Sequence, residues 1–119
     1  MDRFRADAFL PLTPVAFEIL LALADGERHG YSILQEVDAR SGGTVALHAG
    51  TLYRALARLL EQDLIEEMEA PAGQPSEDER RRYYGLTSRG IAVARAEVGR
   101  LESQLAAARA RRLLKGARA

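Results

Sequence analysis

Apolar side chains run almost without a break from Val15 to Ala24, with Val15, Ile19 and Leu23 on one stripe and Leu20 beside it. That spacing predicts a helix packed against a core. Thr13 is a good N-cap, Pro14 suits the first helical position, and Gly26 after Asp25 can take the left-handed conformation that ends a helix. His29-Gly30-Tyr31 opens a second helical pattern, with Tyr31 and Leu34, then Ile33 and Val37, at helical spacing, and Ser41-Gly42-Gly43 stops it. After a connector at 44–49, a third helix begins near Ala49-Gly50-Thr51. Its Leu52, Leu56, Leu59 and Leu60 fall at i, i+4, i+7 and i+8, one buried face, while Thr51, Arg54, Ala55 and Arg58 point elsewhere.

Beyond Asp63 the pattern becomes extended. Residues 65–69 form a weak strand and 81–86, with adjacent tyrosines Tyr83 and Tyr84, a better one. The stretch 71–79 between them is rich in Pro, Gly, Ser and acids and reads as the tip of a hairpin. Thr87 caps a last helix to about Leu114. There Ile91, Ala94, Val98, Leu101, Leu105 and Ala108 follow spacings of three and four, the seam of a coiled coil. A helix that long, roughly 40 Å at 1.5 Å per residue, outruns a small core. The seam is therefore expected to be the interface of a homodimer.

The order helix, helix, helix, strand, strand, helix is the winged helix-turn-helix plan: mainly α with a small β-hairpin wing, plus a long C-terminal dimerisation helix. Residues 1–11 are expected to be an N-terminal arm or short helix, 12–86 the DNA-binding domain and 87–119 the dimerisation helix. In such domains the third helix enters the major groove and the wing reaches the flanking backbone.

Charge changes the picture only through its distribution. The net charge is zero, yet residues 1–86 carry fifteen acidic and nine basic side chains and residues 87–119 carry two and eight. Between Ala39 and Leu60 there is no acid, but Arg40, Arg54 and Arg58 are present; between Arg80 and Ala96 there are five arginines and no acid. These cleared segments coincide with the third helix and the wing strand. The chain has no cysteine, which removes disulfides and thiolate zinc sites and fits a reducing compartment. No apolar run suits a signal peptide or a membrane span, so a cytoplasmic protein with no membrane partner is expected. The two histidines, His29 and His48, make no metal site by spacing, no glycine-rich phosphate loop is present, and Ser32, His29 and Asp25 are near only in sequence. Neither an enzyme nor a cofactor is expected.

Four segments together resemble the PadR-like family of transcriptional regulators: His29-Gly30-Tyr31 with Ile33; Gly50-Thr51-Leu52-Tyr53 followed by Leu56, Arg58-Leu59 and Leu64-Ile65; Arg81-Arg82-Tyr83-Tyr84; and Leu86-Thr87 with Gly90. The resemblance runs from about Leu12 into the last helix, and the short C-terminal region is similar to the compact subfamily with a single dimerising helix. It implies a winged-helix dimer on operator DNA, often a repressor, in a family many of whose members respond to small aromatic or drug-like effectors. The chain departs from the family at Arg54, where many members have proline, and at Gln62-Asp63, where several have glycine.

The candidate DNA contacts follow. Thr51 and Arg54 lie early on the reading helix, and arginine can donate two hydrogen bonds to guanine O6 and N7; Tyr53 shares that segment and Arg58 lies one turn on. His48, at the helix entrance, is a phosphate contact or a cap. Arg80, Arg81 and Arg82 lead into the wing strand, where they reach phosphate or pair with Glu77, Asp78 and Glu79. Tyr31 is a backbone contact by resemblance, or a packed aromatic. The alternative to a DNA-binding repressor is a winged-helix protein-interaction module that has lost DNA binding, which the acidic balance of residues 1–86 favours and the arginines oppose.

Overall fold

The computed structural model describes residues 3–45, 47–69 and 82–114. A 3-10 turn at Ala6–Phe9 leads into α1 (Pro14–Leu23), β1 (Arg28–His29), α2 (Gly30–Ser41), α3 (Ala49–Glu61), β2 (Ile65–Met68), β3 (Tyr83–Leu86) and α4 (Ser88–Ala110). The expected order holds, with β1 added. It pairs antiparallel with β3, so that β3 is the central strand of a sheet ordered β1-β3-β2. Two residues carry no alternation to read, and their strand exists only through the register Arg28↔Tyr84 and His29↔Tyr83.

Local chemistry sets the boundaries. The Thr13 hydroxyl accepts a hydrogen bond from the Ala16 N–H at 3.1 Å, and Nδ1 of His29 accepts one from the Ser32 N–H at 3.1 Å. Gly42 closes α2 in the left-handed region at φ 62°. Asp63 does the same after α3 at φ 61°. Aspartate is among the few side chains that visit this region, and the Leu64 N–H then donates back to the Leu59 carbonyl at 3.0 Å. Thr87 Oγ1 donates to the Asp63 carbonyl at 2.7 Å and accepts from the Gly90 N–H at 3.0 Å, joining the start of α4 to the exit of α3.

The core gathers Ile19, Leu20 and Leu23 from α1, Ile33 and Val37 from α2, Leu52, Leu56 and Leu59 from α3, then Leu64, Ile65, Tyr84 and Val93. Fully burying each large aliphatic side chain contributes roughly 1.5–3 kcal/mol. Leu60, expected on the same face, is only half-buried.

The last helix differs from expectation in two ways. It ends at Ala110, four residues early, because Arg112 takes φ 58° and the Leu113 N–H folds back onto the Ala108 carbonyl at 2.9 Å. Its length is therefore about 34 Å. It also has an inward face of its own, Gly90, Val93 and Glu97, on which the N-terminal turn and α1 pack. A Cβ on Gly90 would lie 1.9 Å from the Leu64 carbonyl oxygen, so this close approach requires glycine.

Candidate nucleic-acid interface

The buried leucines of α3 orient its other side. Ala49, Gly50, Tyr53, Arg54, Ala57 and Arg58 are exposed, and Thr51 is half-buried. The Arg54 Nη2 donates to Thr51 Oγ1 at a long 3.4 Å, leaving most of the guanidinium fork open to solvent. His48 occupies the N-cap position of α3 by backbone, but its side chain makes no capping hydrogen bond, so the capping reading has no support.

Tyr31 lies in the first turn of α2, and the Tyr53 ring reaches Gly30 beside it in sequence. The Tyr31 and Tyr53 side chains are 59% and 51% exposed, so Tyr31 is not a packed aromatic. The Tyr53 ring stands over Gly30, where an added Cβ would meet its hydroxyl oxygen at 3.0 Å and its ring at 3.3 Å. A side chain at position 30 would displace that ring. Arg58 lies elsewhere. With Thr51 and Arg54 it lines a groove against Phe9, Leu12, Val15 and Ala16, on the N-terminal side of α3.

At the base of the wing, His29 meets Tyr83 edge to face with ring centres 5.6 Å apart. Tyr84 is buried, and burial pushes its phenol above the ordinary value, with Glu67 and Tyr53 nearby adding to the effect. Arg82 pairs with Glu67 of the neighbouring strand, and that hydrogen bond raises its already high pKa. The acids expected as its partners, Glu77 to Glu79, lie outside the described residues, as do Arg80, Arg81 and the hairpin tip. Glu67 as the wing arginine's partner was not foreseen, because it follows from the strand register that sets Glu67 opposite Tyr84.

Two further residues escaped the sequence reading. The Arg28 Nε donates to the Ala22 carbonyl at 2.7 Å and its Nη1 to Ser32 Oγ at 3.2 Å, tying the end of α1 to α2. Glu97, midway along α4, is only 2% exposed; it accepts from the Leu12 N–H at 2.9 Å and from Arg100. A single acid at an inward position of an otherwise ordinary helix gives no signal in periodicity.

The expected dimer seam lies beside that inward face and remains largely uncovered. Ile91, Val98, Leu101 and Leu105 are 39%, 41%, 37% and 41% exposed, while Ala94 and Ala108 are half-buried. Ile91, Ala94 and Val98 also line an apolar groove of about 630 Å³ with Leu21, Met68 and Leu86.

Comparison with known proteins agrees with this architecture. The sequence model described as the Transcriptional regulator PadR-like family matches residues 19–96. An uncharacterised protein of Lysinibacillus sphaericus is 35% identical over 74 residues, which span 62% of this chain and 65% of that relative. The fold is similar to RosR of H. salinarum, with TM-score 0.62 and 31% identity over 82% of this chain and 78% of that one. It is also similar to BpsR of Bordetella bronchiseptica, whose DNA binding is regulated by 6-hydroxynicotinic acid, with TM-score 0.59 and 25% identity over 77% of this chain and 61% of that one. The α3 and wing segments, the Gly90 approach to Leu64 and the match over residues 19–96 coincide, and this chain belongs to the PadR-like family of transcriptional regulators.

Proposed function

We propose that the protein is a homodimeric repressor that binds operator DNA by its α3 helices and is released by a small effector. The observation that carries the DNA reading is the exposed face of α3, where Tyr53 and Arg54 stand on a helix with no acid before Glu61. Arg54 reads base edges, and Thr51, Tyr53, Tyr31 and His48 surround it as backbone contacts. Arg80, Arg81 and Arg82 hold the flanking phosphates from the wing. The small residues Ala49, Gly50 and Ala57 leave room for the duplex to approach the helix backbone. This arrangement favours DNA over the alternative of a protein-interaction module, because a lost DNA surface has no reason to stay free of acids.

The dimer forms along Ile91, Ala94, Val98, Leu101, Leu105 and Ala108. A row of large apolar side chains on one helix is rarely left in water by a monomer. Effector release finds support in the apolar groove beside this seam and in the behaviour of BpsR. The test is selection of bound duplexes from a random library by the full chain. An imperfect inverted repeat with half-site centres about 10 bp apart, or a multiple of that, is expected. Recovery of no common sequence would overturn the reading.

A further inference from the structure

The groove that Arg58 shares with the N-terminal segment also takes in Thr51 and Arg54 of the proposed reading helix. It has a volume of about 810 Å³, within the range of small-molecule sites. Phe9, Leu12, Val15 and Ala16 form an apolar wall, Arg54 and Arg58 stand opposite, and no acidic side chain lines it. Among the described residues several arginines pair with carboxylates, Arg40 with Glu18, Arg82 with Glu67 and Arg100 with Glu97, while Arg28 is held by the Ala22 carbonyl and Ser32. Arg58 has no such partner there, and Arg54 has only the Thr51 hydroxyl. Two guanidiniums one helical turn apart, beside a half-buried apolar wall, form a site with its charge unanswered.

We propose that this groove binds a small organic monocarboxylate with an apolar body, and that the ligand competes with DNA. The carboxylate bridges Arg58 and Arg54 through charge-assisted hydrogen bonds, and the apolar body lies against Phe9, Val15 and Ala16. A neutral or cationic ligand of the same shape leaves both arginines unanswered and binds more weakly. Arg54 cannot offer its fork to a base and to a carboxylate together, so each ligand weakens the other by the same factor. The competition rests on the reading that α3 presents Arg54 to DNA; binding in the groove does not.

The experiment is calorimetric titration of the full chain with sodium octanoate and sodium 2-naphthoate, one aliphatic and one aromatic source of the same chemistry, against 1-octanol and 2-naphthol. At least one acid is expected to bind about tenfold or more tighter than its neutral counterpart. Arg58→Ala, a surface change that leaves the core intact, weakens it about tenfold. Ala16→Trp, which fills the wall, removes binding, and selected operator duplex raises the apparent Kd. Equal binding of acid and alcohol overturns the proposal, as does indifference to Arg58→Ala. Loss only in Ala94→Trp also overturns it, because the ligand then sits beside α4. So does binding confined to a monomeric variant, because a second copy then covers the groove. Carboxylate binding with the stated dependence, in a protein that binds no duplex, contradicts the DNA reading and supports the groove assignment.

Discussion

The backbone N–H of Leu12 donates to the carboxylate of Glu97 at 2.9 Å across 85 positions of sequence. This bond fastens the segment before α1 to the inward face of α4. The Arg100 hydrogen bond holds the Glu97 carboxyl below the usual carboxylate range; burial opposes that effect and the Leu12 N–H adds to it. A carboxyl whose folded pKa is depressed contributes stability that is present above its unfolded value, about 4.3, and is lost as pH falls through the folded value. Glu97→Gln is expected to cost about 1–3 kcal/mol at neutral pH and to flatten the fall in stability on the acid side. Urea unfolding from pH 3 to 7 checks both; an unchanged acid limb would separate Glu97 from the pH response.

Gly90 and Gly99 lie on one helix and are expected to respond oppositely to alanine. At Gly90 the new methyl meets the Leu64 carbonyl oxygen at 1.9 Å, whereas at Gly99 nothing lies within 4 Å. Gly90→Ala loses about 1–3 kcal/mol or more through forced displacement of backbone. Gly99→Ala gains up to about 1 kcal/mol from helix propensity. Thermal unfolding of the two variants is the measurement, and equal signs would contradict the packing described for the start of α4.

The fold was legible where one physical pattern dominated. Caps at Thr13 and Thr87 and the leucine face of α3 follow from local chemistry, and so did the helix and strand order; the cap that His29 gives α2 did not. What stayed hidden depends on partners distant in sequence: strand β1, the Arg82–Glu67 pair, and the burial of Glu97. The seam of α4 was readable as a period, but its separation from the inward face of Gly90, Val93 and Glu97 was not, because the two faces differ by one position along the helix. In the site, the positions of Thr51, Arg54 and Arg58 on α3 were readable, but the turn of Arg58 toward Phe9 and Val15 needed the packing of the N-terminal segment.

Arg54 and Glu67 are expected to affect DNA binding in different ways. Arg54→Ala loses about 1–3 kcal/mol on the selected operator and relaxes preference at one base position. Glu67→Gln frees Arg82 from an exposed ion pair and slightly raises affinity for operator and random duplex alike. Anisotropy titration of both variants on both duplexes separates reading from holding. An Arg54→Ala protein with affinity and preference intact would place base reading elsewhere.

Leu101→Glu puts a charge into the exposed seam without touching the inward face of α4. Sedimentation is expected to show a monomer, with circular dichroism unchanged and operator affinity reduced steeply, because a single winged helix makes few contacts. A Leu101→Glu protein that stays dimeric would place the subunit contact elsewhere.

The central claim is that α3 and the wing bind a particular DNA sequence through arginine. Equilibrium titration of the full chain with its selected operator and with a scrambled duplex, from 50 to 200 mM salt, tests it most directly, at roughly the ionic strengths where phosphate contacts are most visible. The operator is expected to bind at least about a thousandfold more tightly than the scrambled duplex, and log K falls linearly with log salt for both as counterions leave the phosphates. Equal affinity for the two duplexes, or affinity that does not change with salt, would contradict the account.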